Sequence, residues 1–117
     1  MKQRMQVLLW GAQRLSAMVL ALCVMVHLAT IIYAVRSGLT AAEILGRTQG
    51  NLGGFVFYTL FVLAVAVHAP IGLRTILGET FNWRGRGADI LVCAAGLSLL
   101  MWGLRAVFAV FSGGAAA

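Results

Sequence analysis

The sequence predicts an all-α membrane protein of three transmembrane helices, and three observations predict it. Apolar residues fill 62% of the 117 positions and charged ones only 10%, a balance too apolar for a soluble domain of this size. The apolar positions fall into three stretches, Leu15–Val35, Gly54–Leu77 and Ile90–Phe111. Each is close to the ~20 residues a helix needs to cross a hydrocarbon core of about 30 Å. The charged residues gather at the ends of these stretches, leaving short loops and a single three-helix anchor domain over residues 1–117.

A net charge of +6 raises the question of nucleic acid, but the basic residues flank the spans and do not line one helix face with aromatics. They read as an orientation signal, with a lipid bilayer and no nucleic acid as partner. Lys2, Arg4, Arg14, Arg74, Arg84 and Arg86 lie on the side of the N-terminus and the second loop, against Arg36 and Arg47 in the first loop. The positive-inside rule then predicts a cytoplasmic N-terminus and an external C-terminus, for a multi-pass protein expected in a bacterial-type inner membrane.

Met1–Gly11 is short, basic and mixed, with Trp10 where an interfacial aromatic belongs, and is expected to lie along the membrane surface. Span one is not a signal peptide, because Gln13, Arg14 and Ser16 stand at its entrance and no small-residue cleavage site follows. At 100° per residue Ser16, Leu20, Cys23 and His27 form one stripe, which should face protein or a cofactor. Cys23 and Cys93 both fall inside spans and read as small apolar packers.

In the first loop Thr40 stands three residues before Glu43, a capping box that predicts a short interfacial helix ending near Gly46. Span two carries Phe55, Phe57, Tyr58 and Phe61 in its outer half, then Ala64, His68 and Gly72 on one face. Pro70 removes a helical hydrogen bond two residues after His68. The second loop, Gly78–Asp89, holds Trp83, Arg84 and Arg86. Span three has Gly96, Ser98 and Gly103 for close helix packing, and Arg105 near its outer end. The tail Gly113–Ala117 is uninformative.

An ionisable residue at membrane depth costs roughly 2.5–3.5 kcal/mol on insertion scales and calls for a function or a partner. His68 is the focus. A haem iron held by imidazoles needs a histidine facing a bundle interior, small residues where the flat macrocycle approaches, and cations for the propionates. Span two offers His68, then Ala64 and Gly72 one turn to either side, and Arg74 about 9 Å along the helix. The fold expected is therefore half of a haem-binding helical bundle. The plainer alternative for His68 is a hydrogen bond to a neighbouring helix, and for His27 polar packing. By helical rise the two histidines differ by about 8 Å in depth, so an axial partner for His68 from another subunit is favoured, with His27 a candidate ligand of a second, outer haem.

His68-x-x-x-Gly72-Leu73-Arg74 resembles the second-helix signature of the cytochrome b556 subunit of succinate dehydrogenase, the membrane anchor of succinate:quinone oxidoreductase and fumarate reductase. Gln13-Arg14-Leu15-Ser16 resembles the run at the start of that family's first helix. This chain departs from the pattern at Gln13, Thr75 and Glu79 and lacks an upstream Arg-Pro pair. The resemblance implies haem b with His68 as axial ligand, Arg74 and Arg14 on its propionates, and a quinone, ubiquinone or menaquinone, bordered by Arg14, Ser16, Trp10 and Gln13. It also implies a complex with an iron–sulphur subunit, a flavoprotein subunit and a second three-helix anchor, the dicarboxylate chemistry lying on another chain. The competing readings are the cytochrome b anchor of another quinone-linked oxidoreductase, and a small transporter or assembly subunit without haem. A transporter would want an acid inside the membrane, whereas Glu43, Glu79 and Asp89 fall in loops or at a span end.

Overall fold

The computed structural model describes residues 2–113 as helices α1 (Gln3–Ser37), α2 (Ala41–Thr48), α3 (Leu52–Thr80) and α4 (Arg86–Phe111). The first, third and fourth are long and apolar enough to cross a membrane. α3 lies in the middle and packs against both α1 and α4, which hardly meet each other. The bundle is therefore an open layer, 49 Å along its greatest extent. Leu15, Met18, Leu22 and Met25 on α1 are exposed, a surface suited to lipid or to further helices.

The expected surface segment at the N-terminus does not form. α1 runs unbroken from Gln3 through Gly11, and Met1 lies outside the described residues. Gln, Arg, Met and Leu are good helix formers and no proline interrupts them, so a single glycine, costing about 1 kcal/mol, does not end the helix. Thirty-five residues span about 52 Å, well beyond a hydrocarbon core of about 30 Å. About two-fifths of α1 therefore projects past that core. Of the expected stripe, Ser16 and Cys23 are buried and Leu20 is half-buried, because it is the side on which α3 packs.

α2 begins with the expected capping box. The Glu43 N–H donates to Thr40 Oγ1 at 3.2 Å, and Thr40 N–H and its hydroxyl donate to Glu43 Oε2 at 3.0 and 2.9 Å. The helix continues past Gly46 to Thr48 because its last turn is tied down. Arg47 donates to the Gly38 carbonyl at 2.6 Å and to Ser37 Oγ at 3.2 Å. The Thr48 hydroxyl is shared between the carbonyls of Ile44 and Val110, both at 3.1 Å, and Gly50 N–H donates to Phe111 O at 2.8 Å. Two of the carbonyls left open at the end of α4 are thus satisfied.

The second loop is shorter than expected, residues 81–85, with Gly78–Thr80 in α3 and Arg86–Asp89 in α4. N–H groups of Phe81 and Trp83 both reach Leu77 O, and Leu77, Ala88 and Val92 form a small core with Leu73 against it. Gly96 and Gly103 let α4 approach α3. A Cβ at 96 would stand 2.7 Å from Pro70 Cγ, and one at 103 would stand 2.6 Å from Val62 Cγ1. The carbonyl of Ala66, deprived of its helical donor by Pro70, lies 3.4 Å from the same point at Gly96, so α4 covers the flaw in α3.

The capping box makes a pH-dependent prediction. Bonding to the Thr40 backbone and then its hydroxyl holds the Glu43 carboxyl below the ordinary carboxylate range. The box is therefore intact above the ordinary value and lost as pH falls through the lowered one. The protection of α2 amides, taken relative to an unfolded amide at the same pH, is expected to fall on acidification, and Thr40→Ala, which removes a cap of about 0.5–2 kcal/mol, is expected to lower it at neutral pH as well.

Candidate functional site

His68 sits on α3, half-buried, facing Ser16 on α1. Ser16 is 6% exposed, and its hydroxyl donates to Gln13 O at 3.0 Å while lying 3.4 Å from His68 Nδ1. One turn toward the N-terminus of α1, Gln13 crosses to Gly72, where an added Cβ would stand 3.3 Å from its Nε2. The two contacts fix the antiparallel register of α1 and α3. Gly72 admits Gln13, and Ala64 is buried.

The same end of the bundle holds a cavity of about 710 Å³ lined by Trp10, Gln13 and Arg14 of α1, Arg74 and Glu79 of α3, and Asp89 of α4, among others. Here the structure brings together most of the residues singled out from the sequence. The Arg14 guanidinium stacks on the Trp10 ring at 4.9 Å, which holds both at the rim. Arg74 Nε donates to Asp89 Oδ1 at 2.8 Å, with the two side chains 38% and 50% exposed. At that exposure the pair adds only about 0.2–1 kcal/mol, so its effect is to aim Arg74. Gln13 Oε1 is buried without a hydrogen-bond partner. Ser16 does not line the cavity; its hydroxyl is turned toward His68.

His27 lies one further stretch along α1, between Tyr58 and Phe61, whose rings meet it edge-on at 5.8 and 5.5 Å. Its Nδ1 is buried and unpartnered, and it borders an apolar cavity of about 510 Å³ with Ser98, Trp102 and Gly103. Since His68 is level with Ser16 and His27 with Tyr58, the histidines are about 15 Å apart in depth by helical rise. That exceeds the offset of about 8 Å read from span positions, because α1 and α3 are staggered. The two imidazoles of one iron face each other across a single atom, so these two cannot share one.

Asp89, Glu79, Trp83 and Arg84 also line the larger cavity, although the sequence reads them only as loop or span-end residues. Asp89 was findable, as an acid in the first turn of a span whose neighbouring span ends in an arginine. Among the described residues no three His, Cys, Asp or Glu side chains gather as a metal cage.

Residues 1–113 match the family described as Succinate dehydrogenase/Fumarate reductase transmembrane subunit. No curated protein and no solved structure matches the chain.

The Gln13–Gly72 contact makes a prediction about assembly. Gly72→Val pushes a branched side chain into Gln13, an overpacking that typically costs about 1–3 kcal/mol. Thermal unfolding of the purified chain in detergent is expected to occur at lower temperature in this variant. Gly72→Ala, whose single methyl the flexible amide can evade, should change it much less.

Proposed function

The chain belongs to the succinate dehydrogenase/fumarate reductase transmembrane subunit family and is a multi-pass membrane protein, and from that premise we propose that it is a haem b-bearing anchor passing electrons between an iron–sulphur subunit and membrane quinone. The observation that carries the reading is an imidazole within a candidate membrane span, His68, placed a turn or two along α3 from Ile71 and Arg74, which line a cavity rich in hydrogen-bond donors. The partners proposed are the iron–sulphur and flavoprotein subunits and a second three-helix anchor, and the end that holds the cavity is the cytoplasmic one.

His68 fits as an axial ligand of haem b. It is half-buried on α3, the open layer leaves a flank for another subunit, and Ser16 engages Nδ1, so the other nitrogen can meet iron. Because His27 is too distant in depth, a second imidazole for the same iron would come from another subunit. Haem iron with two imidazoles supplies one-electron transfer without exchange of ligands. Arg74, held by Asp89 through Nε, keeps its terminal amino groups for a propionate, and Arg14 stands across the same cavity. The unpartnered Nδ1 of His27 and the apolar cavity beside it support His27 as ligand of a second, outer haem.

Quinone enters at the larger cavity. A quinone gains negative charge at its carbonyl oxygens on reduction, and donors already aimed at those positions stabilise it. Arg14 provides a cationic donor, Trp10 holds it, and the Gln13 amide offers both a donor and, at its unpartnered Oε1, an acceptor for a quinol hydroxyl. Glu79 and Asp89 border the cavity and give protons a route to it. Ser16 is assigned to His68, because the cavity does not reach its hydroxyl.

Two substitutions test this. His68→Ala should still insert, since alanine suits the span, but should lose a low-spin haem b signal; full haem in that variant would remove His68 from the site. Arg14→Ala should slow quinone reduction roughly 10- to 150-fold, corresponding to loss of a hydrogen bond from a charged donor of about 1.5–3 kcal/mol. Transfer from substrate to a soluble artificial acceptor should be little changed. Equal loss with both acceptors would make Arg14 a residue of assembly.

A further inference from the structure

The contact between Ser16 and His68 has a direction that follows from counting hydrogens. A serine hydroxyl carries one hydrogen and two lone pairs. Ser16 spends that hydrogen on Gln13 O, three residues earlier in α1, at 3.0 Å, as serines inside helices often do. At 6% exposure it has little access to water. Toward His68 Nδ1, 3.4 Å away, the hydroxyl oxygen has only a lone pair to offer. With the hydroxyl hydrogen on Gln13 O, Nδ1 is the donor of this contact and Nε2 is left bare.

We propose that Ser16 is a positioning residue for His68: its oxygen accepts from Nδ1–H, fixes that tautomer, and presents the Nε2 lone pair as the nitrogen that binds iron. This rests on the reading of His68 as a haem ligand. At 3.4 Å the contact is long for an N–H···O bond, and a metal on Nε2 would make Nδ1–H a better donor by withdrawing charge from the ring. Ligating histidines ordinarily have their second nitrogen held by an acceptor, which fixes the ring and increases its basicity. Here the acceptor comes from a different helix. The α1–α3 register set by Gln13 and Gly72 thereby becomes part of the iron site.

The inference predicts a redox effect with a definite sign. A ring whose Nδ1–H is engaged donates more strongly and favours the oxidised iron; removing the acceptor favours the reduced form. Ser16→Ala, which fits the same space, should keep haem in the assembled complex while moving its oxidised/reduced equilibrium toward the reduced form by up to about tenfold, or about 59 mV for one electron. Ser16→Thr, which retains the hydroxyl, should restore the original value.

The test pairs that titration with ¹⁵N NMR of the full-length chain labelled at histidine and free of haem, the His68 signals being assigned by their absence in His68→Ala. The expected result is a Nδ1–H tautomer in the wild type, lost in Ser16→Ala and regained in Ser16→Thr, together with the raised potential in Ser16→Ala alone. A Nε2–H tautomer in the wild type, or an unchanged tautomer and potential in Ser16→Ala, would overturn the assignment of Ser16 even if His68 holds haem. A wild-type complex without haem would overturn the ligand reading and with it the iron-positioning role; the tautomer would then report only whether the contact itself exists.

Discussion

A polar side chain at membrane depth has no water to fall back on, and each one must be satisfied by its own helix, by another helix or by a bound group. That constraint orders this structure. Ser16, on the buried side of α1, satisfies its hydrogen within its own helix and turns its oxygen to His68. Gln13 reaches into the gap left by Gly72. These two contacts hold α1 to α3 in one register, and the register determines which residues share each end of the bundle.

Three buried polar atoms among the described residues find no partner in the chain: Gln13 Oε1, His27 Nδ1 and Thr59 Oγ1. Two of them border the cavities assigned to quinone and to an outer haem. An unmade hydrogen bond of this kind costs about 1–3 kcal/mol, which a ligand or second subunit that completes it would recover. The open layer has the same implication. With α3 in the middle and α1 and α4 apart, much of the apolar surface is still uncovered, and a second helical anchor is the partner that would close it.

The three spans were legible because length and apolarity alone define them. The α2 capping box was legible because its geometry lies within four consecutive residues, and the Ser16–Cys23 stripe because helical angles are fixed. What the sequence hid was relative placement. Gly72 and Ala64 announce that something approaches closely, but not whether it is a cofactor or a side chain such as Gln13. The depths of His27 and His68 depend on a stagger between helices that no period encodes. α1 began earlier than its apolar stretch, since a polar helical turn outside the membrane carries no break in its pattern. Arg74 and Asp89 are fifteen residues apart, and only the tight 81–85 turn makes them neighbours.

The central claim is that this bundle supplies a histidine to haem, and the most direct measurement is haem per copy of the chain. The complex would be purified through this subunit, its haem measured as the pyridine haemochrome and its reduced-minus-oxidised spectrum recorded. The account predicts a b-type spectrum with at least one haem for each copy. Stoichiometric recovery of the chain with its partner subunits and no haem would contradict it.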